Sequence, residues 1–213
     1  MTKYTILAAT GQIGQLSADY LLKNTNANLV LFGHNASQRL QKFAGERVEF
    51  VDGDLKNEAD LEKAVEGSDG VFVAFVATPD ITENLVKAMD NKGVKRAIVM
   101  SVPDLYKEVS GPFQSWYRAN TGLIWQTPLV QAAANLENSD LDYVILRTTW
   151  LYNDPSKLEV EVTKKGEPYT NAQISREAVA KFAGDLLTGK ADYHCENLGI
   201  GEPNTAWEKP SFY

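Results

Sequence analysis

Tyr4-Thr5-Ile6-Leu7-Ala8-Ala9-Thr10-Gly11-Gln12-Ile13-Gly14 runs from an apolar strand through a glycine turn into an amphipathic helix. Tyr4 to Ala9 reads as the strand. From Ile13 to Leu22 the apolar residues fall at 13, 16, 18, 21 and 22, the spacing of one buried helix face. Gly11 permits a tight turn and lets a ligand approach the backbone, and Gly14 lets the helix pack close to the strand. The helix N-terminus then offers free N–H groups and the positive end of its dipole to a pyrophosphate. A Gly-x-x-Gly pair is weak evidence alone and matches any glycine-containing βα turn. Its place between the first strand and first helix of an alternating chain gives it weight.

The alternation continues outward from that turn. Leu29–Phe32, Val48–Val51, Val71–Val76, Ala97–Met100 and Asp142–Leu146 read as strands, while Ala59–Val65 and Pro79–Asn91 read as helices. These strands lack hydrophilic alternation, so both faces are buried, as in a parallel sheet with helices on each side. The fold class is α/β, a Rossmann-type doubly wound parallel sheet, in one domain over residues 1–213. Residues 151–213 are less regular and form a smaller substrate-side segment. There Glu159–Thr163 alternates like an edge strand, Lys164–Glu167 reads as a turn, and Ser175 caps a helix over about 176–187.

Composition narrows the function classes. The 213 residues carry a net charge of −7 and are 44% hydrophobic and 23% charged, so the chain is neither disordered nor fibrous. With no basic run it is a poor partner for nucleic acid or an anionic membrane surface. One cysteine, Cys195, excludes an internal disulfide, and with only two histidines no metal site is expected. The N-terminus does not read as a signal peptide, and no apolar run spans a bilayer. The expectation is a cytoplasmic protein, monomer or homodimer, acting on a small molecule.

Ile6 to Gly14 resembles the Gly-x-x-Gly-x-x-Gly turn of the atypical and extended short-chain dehydrogenase/reductase superfamily. More specifically, it resembles the small NAD(P)-binding, NmrA-like members of the biliverdin/flavin reductase type. Ala8 stands where that family has its first glycine, which narrows the turn slightly. Asp52-Gly53-Asp54-Leu55 resembles the family's adenine-side Asp-Leu pair, Leu141–Arg147 its strand ending in Leu-Arg-Pro, and Ile174–Ala180 its late helix start. The resemblance implies a cofactor site of Thr10, Gly11, Gln12, Ile13 and Gly14 at the turn, with Asp54 and Leu55 on the adenine side. Ala74, Phe75 and Val76 line the crevice. Ser101, Thr148 and Thr149 lie near the nicotinamide. Gly14→Asp is expected to abolish nucleotide binding with little effect on the fold.

The residues after the second strand separate NAD from NADP, because an acid there binds the ribose hydroxyls and repels a 2′-phosphate. Phe32-Gly33-His34-Asn35-Ala36-Ser37-Gln38-Arg39 contains no acid. His34, Asn35, Ser37 and Arg39 offer donors to a phosphate. NADP(H) is therefore the preferred cofactor, with NAD(H) the alternative.

The family's usual Tyr-x-x-x-Lys pair, in which Tyr protonates a carbonyl oxygen, occurs nowhere in the chain. Counting back from Leu141-Asp142-Tyr143 puts Trp125 and Leu129 at its place. Catalytic candidates are Ser101 and a displaced Tyr117, the latter read more readily as a lid or packing residue. Without a positioned acid the chemistry suits an acceptor whose product anion is delocalised, such as a quinone or flavin. Phe113, Trp116, Tyr117, Trp125 and Trp150 suit a flat acceptor. The chain is thus expected to be an NAD(P)H-dependent oxidoreductase; the alternative is a non-enzymatic NAD(P)-binding sensor. Arg147 is expected in a buried ion pair, His194 and Cys195 as structural or surface residues, and Trp207–Tyr213 packed on the body or on a second subunit.

Overall fold

The computed structural model describes residues 2–213. In chain order its elements are β1 (Lys3–Leu7), α1 (Gln12–Asn24), β2 (Asn28–Gly33), α2 (Ala36–Arg39), β3 (Val48–Asp52), α3 (Glu58–Val65), β4 (Gly70–Val73), α4 (Pro79–Lys92) and β5 (Arg96–Ser101). There follow α5 (Phe113–Thr121), α6 (Leu129–Glu137), β6 (Asp142–Thr148), β7 (Trp150–Tyr152), β8 (Glu161–Thr163), β9 (Gln173–Ser175), α7 (Arg176–Thr188) and β10 (Glu196–Gly201). The main sheet has the order β3-β2-β1-β4-β5-β6-β10-β8, and β7 pairs with β9 apart from it. The main-sheet neighbours run parallel except β8, which lies antiparallel on β10 at the edge.

Burial on both sheet faces follows from the side-chain period of two. Along β1, Leu7 joins the core under α3, α4 and α6, while Ile6 joins the core under α1 and α7. The winding reverses between β1 and β4, the switch point where a crevice opens at the carboxyl ends of the strands.

Two strands end sooner than their apolar runs. β1 stops at Leu7 because Ala8 takes a left-handed φ of 57°. β4 stops at Val73, so Ala74, Phe75 and Val76 leave the sheet and turn over its carboxyl edge. The expected Glu159–Thr163 edge strand forms over Glu161–Thr163 only; the Lys164–Glu167 turn and the Ser175 cap stand as expected, and the Ser175 side chain accepts from the Ala178 N–H at 2.9 Å.

The loop between β5 and α5 is pinned from two directions. Asp104, fully buried, receives Arg118 Nε at 2.8 Å and Nη2 at 3.0 Å, and the Val109 N–H at 2.9 Å. Arg147 on β6 is fully buried and hydrogen-bonded to Glu108, the expected buried ion pair. Desolvation by burial presses the guanidinium pKa downward. His194 is exposed and lies 2.8 Å from Asp142, and Cys195 is exposed.

Candidate functional site

At the carboxyl ends of β1 to β4 the chain opens a cleft of about 360 Å³. Its walls include Thr10 and Gly11 from the β1–α1 turn, His34 after β2, Asp54 and Leu55 after β3, and Ala74 and Phe75 after β4. These residues, far apart in sequence, meet because parallel strands deliver every βα turn to the same edge. Phe75 is half exposed there, an apolar ring facing the opening.

The turn itself is held by the Gly11 N–H donating to the Ala8 carbonyl at 3.1 Å. Gly11 is the N-cap of α1 at φ −75°, no side chain caps the helix, and its first turn contains no acid. The opening N–H groups of a helix have no intrahelical acceptor. Those of α1 are therefore available beside the cleft, and the helix dipole gives them a positive field. A Cβ at Gly11 would come no closer than 3.5 Å to the Ala8 oxygen. That open donor rim fits a diphosphate.

Gly14 serves a different purpose. A Cβ there would lie 2.6 Å from the Ala9 Cα and 2.8 Å from the Ala8 oxygen. It permits the close α1–β1 packing, as expected. Gly14→Asp would consequently break that packing, which corrects the expectation of little effect on the fold. Ile13 is buried below the turn, and Gln12 is exposed at its far side. Gln12 lines a larger groove of about 660 Å³ along the outer face of α1, away from the strand ends.

The loop after β2 differs from expectation in its charges. No acid follows β2, yet β3 sends two. Asp52 accepts from Ser37 Oγ at 2.5 Å and from the Ser37 N–H at 2.9 Å, so Ser37 is spent and is not a free donor to a phosphate. Asp54 Oδ2 lies 3.5 Å from His34 Nε2, and its pKa is lowered, first by the hydrogen bond from the Lys56 N–H. Asn35 adopts a left-handed φ of 52°, which an asparagine tolerates at a turn, and with Arg39 it is exposed beyond the cleft wall. Lys56 was missed by sequence reasoning. It directly follows Asp54-Leu55, and extending that pair by one residue would have included it.

Ser101, Thr148 and Thr149 do not line this cleft; they stand farther along the same edge, at the ends of β5 and β6. All three are largely buried. The Thr148 hydroxyl donates to the Ser101 carbonyl at 3.3 Å and the Thr149 hydroxyl to the Ala172 carbonyl at 3.4 Å. The two threonine hydroxyl protons are thus directed at protein backbone.

Tyr117 is 1% exposed, its hydroxyl donates to the Pro103 carbonyl at 2.9 Å, and burial pushes its pKa far above the usual phenol range. It packs in the core against Phe113 and Trp150. Phe113 is buried beside it, and Trp125 stacks under Arg118. Trp116 and Trp150 are partly exposed, 4.7 Å apart edge to face, and Tyr213 packs 5.1 Å from Trp116. Of the C-terminal aromatics, Phe212 packs beside Tyr152 and Tyr213 beside Trp116 and Trp150, so that Tyr213 completes an aromatic wall just past Thr148-Thr149.

Comparison with known proteins agrees with this geometry. A short-chain dehydrogenase/reductase from Veillonella parvula, solved in complex with NADP, is 36% identical, covers 99% of both chains and superposes with a TM-score of 0.92. A Rossmann-fold NAD(P)-binding family protein from Shigella flexneri is 26% identical over 100% of both chains, with a TM-score of 0.80. An anaerobillin reductase from Escherichia coli shares the fold at 17% identity, covering 99% of this chain and 100% of its own, with a TM-score of 0.75. No curated protein matches the sequence. The sequence profile of a family described as NAD(P)H-binding matches residues 8–190. Turn, crevice, sheet order and profile agree, and the chain belongs to the NAD(P)H-binding family of short-chain dehydrogenase/reductase-like Rossmann proteins.

Proposed function

We propose that the protein is an NAD(P)H-dependent reductase, preferring NADP(H), that delivers hydride to a conjugated acceptor such as a quinone or flavin. The observation that carries this reading is the uncapped, acid-free N-terminus of α1 opening beside Gly11 onto the strand-end cleft. In it Gly11 and the N–H groups of Gln12 and Ile13 hold the pyrophosphate. Thr10, Asp54 and Leu55 bound the adenosine side, with Ala74, Phe75 and Val76 beneath. Ser101, Thr148 and Thr149 flank the nicotinamide end. When bound, the cofactor supplies the hydride. Preference for NADP(H) is supported by His34 standing where an acid would repel the 2′-phosphate, and by the NADP complex of the 36% identical relative.

The acceptor class follows from proton supply. Reduction of a simple ketone leaves an alkoxide that needs a positioned acid, worth about 10²–10⁴-fold in rate. Trp125 and Leu129 stand where the pair was counted, and the Tyr117 hydroxyl is committed to Pro103. A quinone or flavin product anion is delocalised and tolerates protonation by water or Ser101. The wall of Trp116, Trp150 and Tyr213 presents flat apolar surface on that side. The same lack of a phenol acid favours one rival, a non-enzymatic NAD(P) sensor. NADPH consumption measured with a quinone, a flavin and an unactivated ketone separates the readings. We expect turnover on the first two and slower ketone reduction by about 10²-fold or more. A better rate on the ketone contradicts the proposed acceptor class, and binding without turnover on any acceptor favours the sensor.

A further inference from the structure

We propose that the cavity between the 206–210 arch and the start of α5 holds an apolar side chain of the acceptor, so that the protein selects quinones carrying one. This deepens the quinone reading given above and rests on it. The cavity measures about 460 Å³, and its lining includes Pro112, Trp207, Pro210 and Tyr213. Small-molecule sites fall in the same range, about 300–1,000 Å³. It adjoins the acceptor end on two sides. The Tyr213 ring packs 5.1 Å from Trp116 and 6.4 Å from Trp150, the residue that follows Thr148-Thr149. Tyr213 thus belongs both to the aromatic wall and to the cavity. On the other side Pro112 leads directly into Phe113, whose ring stacks 5.8 Å from Trp116.

The arch is held at both ends. At its start the Glu202 N–H donates to the Gln173 carbonyl and the Ala172 N–H to the Thr205 carbonyl, each at 2.9 Å. At its end Pro210 is buried and the Ser211 N–H donates to Gln173 Oε1 at 2.9 Å. Gln173 is itself buried, and its Nε2 donates to Glu202 Oε2 at 3.0 Å. The cavity is therefore pre-formed, and filling it requires little loop ordering. Trp207 is 42% exposed and Tyr213 61% exposed. A single exposed aromatic is ordinary, but two bordering one cavity offer an apolar group surface to cover. Glu208 and Lys209 also border it and are opposite in sign, so the lining carries no net charge to favour an anionic substituent such as a phosphate. Each methylene taken from water is worth about fourfold in affinity. A five-carbon isoprenyl group half covered here should gain about tenfold.

The test follows NADPH oxidation, in which a hydride and a proton convert the quinone to its hydroquinone. Two acceptors are compared: a dimethoxy-methyl-benzoquinone without a side chain, and the same ring carrying one isoprenyl unit. For the natural protein we expect KM to be about tenfold lower for the prenylated ring, with kcat within about twofold. In Trp207→Ala the KM ratio of the two acceptors should shrink to about threefold or less, while Trp207→Phe should keep most of it. Trp207 is exposed, so its replacement should leave the fold intact, and a ratio of KM values taken within one variant does not depend on how much protein is active. Equal KM values in the natural protein, or a ratio unchanged in Trp207→Ala, overturn the proposal while leaving the quinone reading standing. Failure to turn over either quinone overturns that reading and this proposal with it.

Discussion

Ala8 occupies the one position in the glycine turn where the backbone is left-handed, at φ 57°. For a residue with a Cβ that conformation costs about 1–2 kcal/mol. Ala8→Gly should remove the strain but adds about 0.4–1 kcal/mol of unfolded-state entropy. The net expectation is a gain of about 0.5–1 kcal/mol, a rise in melting temperature of about 1–4 °C for a chain this size. Calorimetry of the variant checks it, and a lower melting temperature would mean the alanine methyl packs better than its strain costs. Tyr117 gives a second test at this scale. Its hydroxyl makes one buried hydrogen bond, to Pro103, so Tyr117→Phe should cost about 1 kcal/mol of stability. Turnover on a quinone should stay within about twofold, less than 0.5 kcal/mol of barrier. Loss of turnover would place the phenol in the chemistry after all.

Among the elements, the β5–α5 loop is set by two ion pairs, the buried Glu108–Arg147 and the half-buried Asp104–Arg118. Removing one partner of a buried pair strands the other charge, at about 3–5 kcal/mol. Glu108→Ala should therefore unfold at much lower denaturant than the natural protein. A Glu108→Met, Arg147→Met double variant should recover most of the loss, because no charge is stranded. Equal instability of the single and double variants would point to lost packing rather than a stranded charge. Arg147 was legible as an ion pair because a charge closing an apolar strand must be paired. Its partner was not, since Glu108 lies in an irregular loop. The strands β1 to β6 were legible as near-continuous apolar runs, and the turn as glycines at a strand–helix junction. α5 and α6 were not. They begin after Pro112 and Pro128 and are short, α5 with polar and aromatic residues interleaved and α6 built largely from alanine and amide residues. Nor was β10, which contains Gly199 and Gly201, ordinarily strand-weakening. Its glycines make room for the side chains of Tyr169 and Asn171, close contacts that only the tertiary structure reveals.

At the scale of the molecule, the winding reversal between β1 and β4 fixes where the cleft opens, and the uncapped α1 fixes which end of a ligand it favours. The residues at the strand ends were readable in sequence because each follows an apolar run. The acids that reach the β2 loop were not assigned to it, since they arrive from β3 through strand pairing, Gly33 against Asp52. The central claim is that this edge binds NAD(P)H through the Gly11 turn, and Gly11→Asp tests it most directly. At φ −75° with no obstructing atom, an aspartate there is a good N-cap, so folding should be unaffected or slightly favoured. Its carboxylate would nevertheless take the helix N–H groups and repel a diphosphate. In a fluorescence titration with NADPH, the natural protein should bind and Gly11→Asp should lose about 100-fold or more in affinity, about 2.8 kcal/mol, at an unchanged melting temperature. Equal NADPH affinity in the two folded proteins would contradict the account.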